Sequence, residues 1–325
     1  MMREPAFWES DGLTARALQP LAGVWTAATR LRRTAMRPWR APVPVLCVGN
    51  VTVGGGGKTP AARALTDRLS SRGWQPHILS RGFGGSHAGP VTVDPGRHTS
   101  RDVGDEPLLL ARHAPVWVAR NRARAAAAAV GAGADILVMD DGLQNVHLAR
   151  TLSFIVIDGP RGFGNAKVLP AGPLREPLAD ALSRAGTVVI VGDDHHGLER
   201  ALSGEGLCVL HARLEAGRIP GDGLPLFAFA GIARPGKFFA TLEEHGAEVV
   251  KTRSFADHHR YDPMTVTAMF EEANALGARL VTTEKDWVRL DEATRPLAEP
   301  VPVRMVFRDE GILDALIDRV GIAAS

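Results

Sequence analysis

Four glycines in a row, positions 54–57, lead directly into Lys58 and Thr59, and an apolar run at 45–48 precedes them. No other stretch constrains the fold as much. Glycine has no Cβ, so successive backbone N–H groups can turn inward, and the start of a helix adds positive potential. A strand, a glycine loop and a helix opening on Lys-Thr therefore make an anion cradle of the P-loop kind. In that reading Thr52, Val53, Gly54, Gly55, Gly56 and Gly57 wrap the phosphates of a nucleoside triphosphate. Lys58 reaches the β- and γ-phosphates, and the Thr59 hydroxyl ligates Mg2+. The pattern wants glycine at position 52, where the chain has Thr52. A plain glycine-rich turn is the competing reading, and the flanking strand and helix favour the cradle.

From position 42 onward, short β-branched runs alternate with helical patterns. Strands are expected at 45–48, 75–79, 116–119, 136–139, 154–157 and 188–191, with helices at 59–72, 105–113 and 121–131. A Gly/Pro-rich stretch at 217–225 marks a boundary, after which strands at 226–230, 248–252, 279–282 and 301–307 alternate with helices again. This implies an α/β fold: a P-loop NTPase-like, mostly parallel sheet with helices on both faces, plus a smaller second α/β domain. Three parts are expected: an N-terminal segment 1–40, a kinase-like domain 41–222 and a C-terminal domain 223–325. Binding residues belong at the C-terminal ends of the strands.

The net charge of +2 gives no basis for nucleic-acid binding, and two cysteines, Cys47 and Cys208, cannot build a disulfide framework. No run approaches the roughly 18 apolar residues of a spanning helix, and no signal-peptide core is present. Charge is nevertheless concentrated: residues 1–40 hold seven arginines against three acids, with Phe7, Trp8, Trp25 and Trp39 among them. Leu18, Leu21, Ala22 and Trp25 follow a helical spacing, and Pro20 interrupts that helix or starts it. Such a helix either lies on an anionic membrane surface or packs on the protein with a solvated basic face.

Several residues could carry chemistry. Asp140 and Asp141 follow an apolar strand, where a P-loop protein keeps the carboxylate that holds Mg2+; capping a helix is the plainer alternative. Asp105 and Glu106 open an expected helix after Gly104, either as caps or as a general base within reach of a hydroxyl. Arg81 and Arg122 sit at strand ends, where either could neutralise phosphate charge. Asp257-His258-His259 suggests a metal site or, more economically, a histidine holding a catalytic carboxylate. Residues 162–177, with Asn165, Arg175 and Glu176, form a long loop dense in Gly, Pro and charge, of the kind that lines sites.

Taken together these stretches resemble the tetraacyldisaccharide 4'-kinase family of lipid A biosynthesis. The resemblance runs over nearly the whole chain, at residues 48–60, 79–85, 104–107, 139–144, 163–177, 230–232, 255–259 and 282–290. It implies transfer of the γ-phosphate of ATP, with Mg2+, to the 4'-hydroxyl of a glycolipid, tetraacyldisaccharide 1-phosphate. It further implies Asp105 as base with His258 as partner, and Asp140 and Asp141 as the Mg2+ carboxylates. Glu106, Arg122, Arg175 and Glu176 would line the site. The N-terminal segment would meet the cytoplasmic face of the bacterial inner membrane as a peripheral contact, with no obligate protein partner. Thr52 fits the family, whose loop lacks that first glycine. Gly56, Asn145, Thr151 and Ala233 depart from the family's usual residues. The alternative is a P-loop NTPase switch or metal-delivery factor that hydrolyses nucleotide without a lipid acceptor.

Overall fold

The computed structural model describes residues 5–54 and 56–322; Gly55 of the glycine loop and Arg3 of the basic segment lie outside the described residues. The strands are β1 (Val45–Gly49), β2 (Pro76–Ser80), β3 (Val91–Thr92), β4 (Val116–Val118), β5 (Ile136–Asp140), β6 (Leu152–Asp158) and β7 (Thr187–Val191). They continue with β8 (Cys208–Ala216), β9 (Leu226–Ala230), β10 (Val249–Ser254), β11 (Arg279–Thr283), β12 (Glu299–Val301) and β13 (Val303–Phe307). Nine strands form one sheet in the order β13-β8-β7-β6-β1-β5-β2-β4-β3, and four form a second, β10-β9-β11-β12. The second sheet is parallel throughout, and the first is parallel except for its two edge pairs, β3 with β4 and β13 with β8.

The central strands are buried along their whole length, because neighbouring residues point to opposite faces and helices cover both. On one face Leu46, Val48, Ile78 and Val138 meet Ala61, Ala62, Leu65 and Leu69 of the helix Lys58–Ser71. On the other face Val45, Cys47, Leu79 and Met139 meet Ala125, Ala126 and Ala129 of the helix Arg122–Gly131. Alanines there let the helix sit close to the sheet. Cys47 is a buried free thiol, pushed up to about 11 by burial. The strand order reverses about β1, flanked by β5 and β6, so the loops after β1, β2 and β5 converge at one end of the sheet.

Two features depart from the sequence reading. β8 went unseen, since its residues are mostly half-buried and alternate with charge. The single strand expected at 301–307 is two: β12 ends at Val301 on the second sheet, and β13 crosses to close the edge of the first by pairing antiparallel with β8. The final helix, Glu310–Ile322, follows it: Leu313 and Ile317 join the core beneath Lys58–Ser71, and Arg68 pairs with Asp314. The unpaired backbone of β8 needed a partner, and the chain's end supplies it.

The N-terminal segment forms two helices, Leu13–Ala17 and Gln19–Thr34, with Pro20 in the first turn of the second, where its missing N–H costs nothing. Small residues, Ala15 and Ala22, face the protein. Leu13, Leu21, Val24 and Leu31 face outward, at 86%, 56%, 68% and 70% exposure. Part of the positive charge is used internally. Arg30 makes a bidentate pair with Asp180 at 2.7 and 2.8 Å, and Arg33 binds the buried Glu176.

Candidate functional site

The cradle is built as its glycines require. Gly54 and Gly57 adopt φ of 105° and 82°, left-handed values that favour glycine, and Gly57 leads into the helix at Lys58. Lys58 Nζ donates to the Gly54 carbonyl at 3.3 Å. Thr52 occupies an extended bridge to Leu174, flanked by Val53 N donating to Pro173 O and Arg175 N donating to Val51 O, each at 2.8 Å. Its N–H and hydroxyl both donate to Asn50 Oδ1, at 2.8 and 2.9 Å. A side chain is thus used at position 52, which removes any need for glycine there. Gly56 also has a reason: a Cβ on it would lie 2.3 Å from the buried Asn50 Nδ2.

The loop after β5 packs directly against the cradle, since a Cβ on Gly49 would meet Leu143 Cβ at 2.5 Å. Asp140 is 1% exposed, and neither of its carboxylate oxygens has a hydrogen-bond partner among the described residues. Burial, with Glu106 and Asp141 nearby, pushes it up to about 8. Asp141 sits at φ 48°, a left-handed conformation for a non-glycine residue, and accepts from Arg175 Nη1 at 3.1 Å. Burial raises the Asp141 carboxyl, but Lys58 and Arg175 outweigh it and hold it below the usual carboxylate range. An ionised or ionisable pair of this kind, one member buried and unpartnered, suits a hard cation that keeps most of its ligands from water and phosphate. Arg122 is buried behind the pair, donating to the carbonyls of Ala119 and Asp140, and burial pushes it down to about 10.

Asp105 lies at the start of the helix Asp105–Leu110, 6% exposed. The chain reaches it through backbone-to-backbone packing: Gly85 and Gly104 bring the loop after β2 within contact of residues 102–104, where side chains would clash. His258 Nδ1 lies 3.1 Å from Asp105 Oδ2, and Arg289 Nη2 lies 3.3 Å from the same nitrogen. His258 has φ 58°, so both it and Asp141 hold strained backbones at this end of the molecule. Burial raises the Asp105 carboxyl, yet the His258 hydrogen bond and the charges of Lys285 and Arg289 outweigh it and hold it far below the ordinary range. Glu106 pairs with Lys285 at 3.3 Å.

The remaining expected residues fall into different places. Glu176 is fully buried and takes Arg33, Arg184 and Gln144, which ties the N-terminal helix to the loop carrying Arg175. Arg81 is exposed at the end of β2. Asn165 spends its amide on the carbonyls of Phe7, Ser10 and Ala171, so it organises the loop and the N-terminal segment. His259 stacks on Phe255 with centroids 4.6 Å apart. Among the described residues no group of three or more His, Cys, Asp or Glu is placed to hold a metal, and Asp257-His258-His259 is no such cluster. Sequence reasoning gave no role to Lys285, Asp286 or Arg289, although they lie in a motif it had marked. Asp286 and Lys285 lie three and four residues before Arg289, and that spacing was the available signal.

Comparison with known proteins bears on the whole arrangement. The family model described as tetraacyldisaccharide-1-P 4'-kinase matches residues 14–321. The tetraacyldisaccharide 4'-kinase of Rhodospirillum rubrum is 50% identical, covering 98% of this chain and 98% of that protein. That of Rhodospirillum centenum is 49% identical over 97% and 96%. The crystal structure of LpxK from Aquifex aeolicus in complex with ATP superimposes with a TM-score of 0.76 at 25% identity, over 95% of this chain and 99% of that one. A match this long, spanning the glycine loop, both sheets and the helix that closes the first, shows that the chain belongs to the tetraacyldisaccharide-1-P 4'-kinase family.

Proposed function

We propose that this chain transfers the γ-phosphate of ATP to the 4'-hydroxyl of tetraacyldisaccharide 1-phosphate, giving lipid IVA. The observation that carries the reading is the buried Asp105 carboxylate held by His258 beside a Gly-Lys-Thr cradle, in a chain of this family. Lys58 and the loop amides hold the β- and γ-phosphates. Thr59, Asp140 and Asp141 would hold a divalent cation, which neutralises phosphate charge when bound. The unpartnered Asp140 oxygens are the observation that fits one there. Arg122, Arg175 and Arg81 add positive potential around the transferred group.

Asp105 receives the acceptor hydroxyl. Among the described residues its Oδ1 accepts only the Glu106 N–H, at 3.0 Å, whereas Oδ2 is filled by His258 and Arg289. A carboxylate held so far below its ordinary pKa is a weak base. It therefore orients the hydroxyl first and takes the proton late, as the oxygen bonds to phosphorus and turns acidic. The two sheets act as lobes that close over nucleotide and sugar. Arg234, next to the second sheet, already pairs with Asp158 at the end of β6.

The test is transfer of label from [γ-32P]ATP to tetraacyldisaccharide 1-phosphate in detergent. ATP consumption is expected to depend strictly on the glycolipid; hydrolysis without it, and no labelled lipid, would contradict the reading. In the same assay Lys58→Ala is expected to lower turnover by about two orders of magnitude and raise the KM for ATP. Unchanged kinetics would remove the cradle assignment.

Membrane contact is part of the proposal. Among the described residues no helix is long and apolar enough to cross a membrane. The outward Leu13, Leu21, Val24 and Leu31, beside arginines, suit a helix lying in the headgroup region on the cytoplasmic face. The triple variant Leu21→Asp/Val24→Asp/Leu31→Asp is expected to co-sediment with anionic vesicles about tenfold less, or weaker still. Equal sedimentation of the variant and the unaltered protein would refute the contact.

A further inference from the structure

Arg289 follows the short helix Glu284–Trp287 beside the second sheet and reaches across to the first. Its side chain is 5% exposed. Nε donates to Asp105 Oδ2 at 2.8 Å, and Nη2 contacts the same oxygen. Nη1 donates to the Gly231 carbonyl and to Asp286 Oδ1, both at 2.8 Å. Asp286 is fully buried and saturated: Tyr261 Oη, Thr283 Oγ1 and the Gly231 N–H all donate to it. Gly231 must lack a side chain, because a Cβ there would lie 2.7 Å from Tyr261 Oη and 3.1 Å from Asp286 Oδ1. The chain of donors runs from a rigid strand end, through Asp286 and Arg289, to the Asp105 carboxylate. One turn earlier, Lys285 makes the parallel contact to Glu106. The consecutive carboxylates of one lobe are gripped by two cations of the other.

We propose that Arg289 is a positioning residue for phosphoryl transfer: anchored by Asp286, it occupies Oδ2 of Asp105, turns Oδ1 toward the acceptor and keeps the carboxylate charged. This rests on the reading of Asp105 as the base. A buried carboxylate would otherwise drift upward in pKa and lose its charge. His258 alone is one contact on one oxygen; Nε and Nη2 of Arg289 both converge on that same Oδ2 and hold it in place.

The groups that face Asp105 are few. From the second lobe come His258, Arg289 and Lys285, with Asp257 and Asp286 behind them. On its own helix there is Glu106. On the preceding helix Asp102 is turned away into a capping box with Thr99, and on Lys58–Ser71 Arg63 is turned to Asp67 and Glu284. Among the described residues, Arg289 is thus the arginine or lysine in direct contact with the Asp105 carboxylate.

The test is the pH dependence of kcat/KM for the glycolipid in Arg289→Gln and Arg289→Lys. Asp105 acts ionised, so activity is lost as pH falls through its pKa. Removing the guanidinium lets burial raise that pKa, and the Arg289→Gln profile is expected to gain an acid limb between about pH 4 and 6, where Asp105 of the unaltered enzyme stays charged. At the optimum, kcat is expected to fall about tenfold or more, with the KM for ATP little changed. Arg289→Lys keeps the charge and loses the fork, so it is expected to shift the limb less while still lowering kcat. A purely structural role predicts lost activity with no such acid limb, and that result overturns the proposal. Should Arg289→Gln not fold, the limb and kcat of Arg289→Lys decide by the same criterion. Asp105→Asn, run alongside, separates the two readings. If it retains turnover, the base assignment itself falls. If it is inactive while Arg289→Gln matches the unaltered enzyme, only the role of Arg289 falls.

Discussion

Asp105→Ala is expected to lower kcat by about 10²–10⁴-fold, the range in which a positioned acid or base contributes, while leaving the KM for ATP nearly unchanged. The reasoning follows from geometry. Among the described residues Asp105 bonds to Glu106, His258 and Arg289 and to no residue of the glycine loop, so its loss is expected to leave the phosphate cradle intact. It does leave His258 and Arg289 without the carboxylate they share, and Arg289 is almost fully buried. Arg289 keeps Asp286 and the Gly231 carbonyl but its Nε and Nη2 lose their acceptor, so Asp105→Ala also loses stability, by roughly 1–3 kcal/mol. Asp105→Asn keeps shape and a neutral acceptor, and is the better probe of chemistry. Turnover by Asp105→Asn within threefold of the unaltered enzyme would remove Asp105 from the mechanism.

The second large effect has two opposite parts. Asp140→Asn is expected to abolish transfer and yet to stabilise the nucleotide-free protein. The Asp140 pKa is about 8 in the folded chain against 3.8 for an ordinary aspartate, so between those values the folded state holds a proton that the unfolded state releases. Raising the pH from about 4 to about 8 therefore costs stability, on the order of a few kcal/mol, and above about 8 the loss levels off. Asparagine has no proton to lose and no such slope. The melting temperature of Asp140→Asn is expected to exceed that of the unaltered chain by a margin that widens from pH 5 to pH 8. Nucleotide with Mg2+ is expected to stabilise the unaltered protein far more than the variant. Equal melting temperatures at pH 8 would refute the assigned cost. Function here is placed where the fold is least comfortable, a buried carboxylate with no partner of its own.

The local chemistry was legible at positions 45–60 because the cradle is made of consecutive backbone groups, and glycine's conformational freedom is a property of the residue itself. The alternation of strands and helices was legible for the same reason: each central strand is buried on both faces and so reads as an apolar run. β8 escaped because its burial is partial and its pattern mixed. The pairing of Asp105 with His258 was anticipated through the family resemblance, and the structure joins them at 3.1 Å. Gly56 had no account in the sequence and acquires one from Asn50, six positions earlier, whose amide occupies the space a side chain would need.

By itself, then, the sequence determined what depends on neighbours along the chain: the glycine cradle, the carboxylates at the end of β5, the parallel α/β pattern and the basic N-terminal helix. Only the tertiary structure decided what depends on residues far apart. It placed β13 against β8, set Arg33 of the N-terminal helix on Glu176, and brought Arg289 and Lys285 to Asp105 and Glu106. Those partners lie 143 to 184 positions apart for the Arg33 and Arg289 pairs. A charge at one position carries no local mark of the opposite charge that folding will place beside it. Register, edge closure and ion pairing across lobes are settled by packing, and packing becomes visible only in three dimensions.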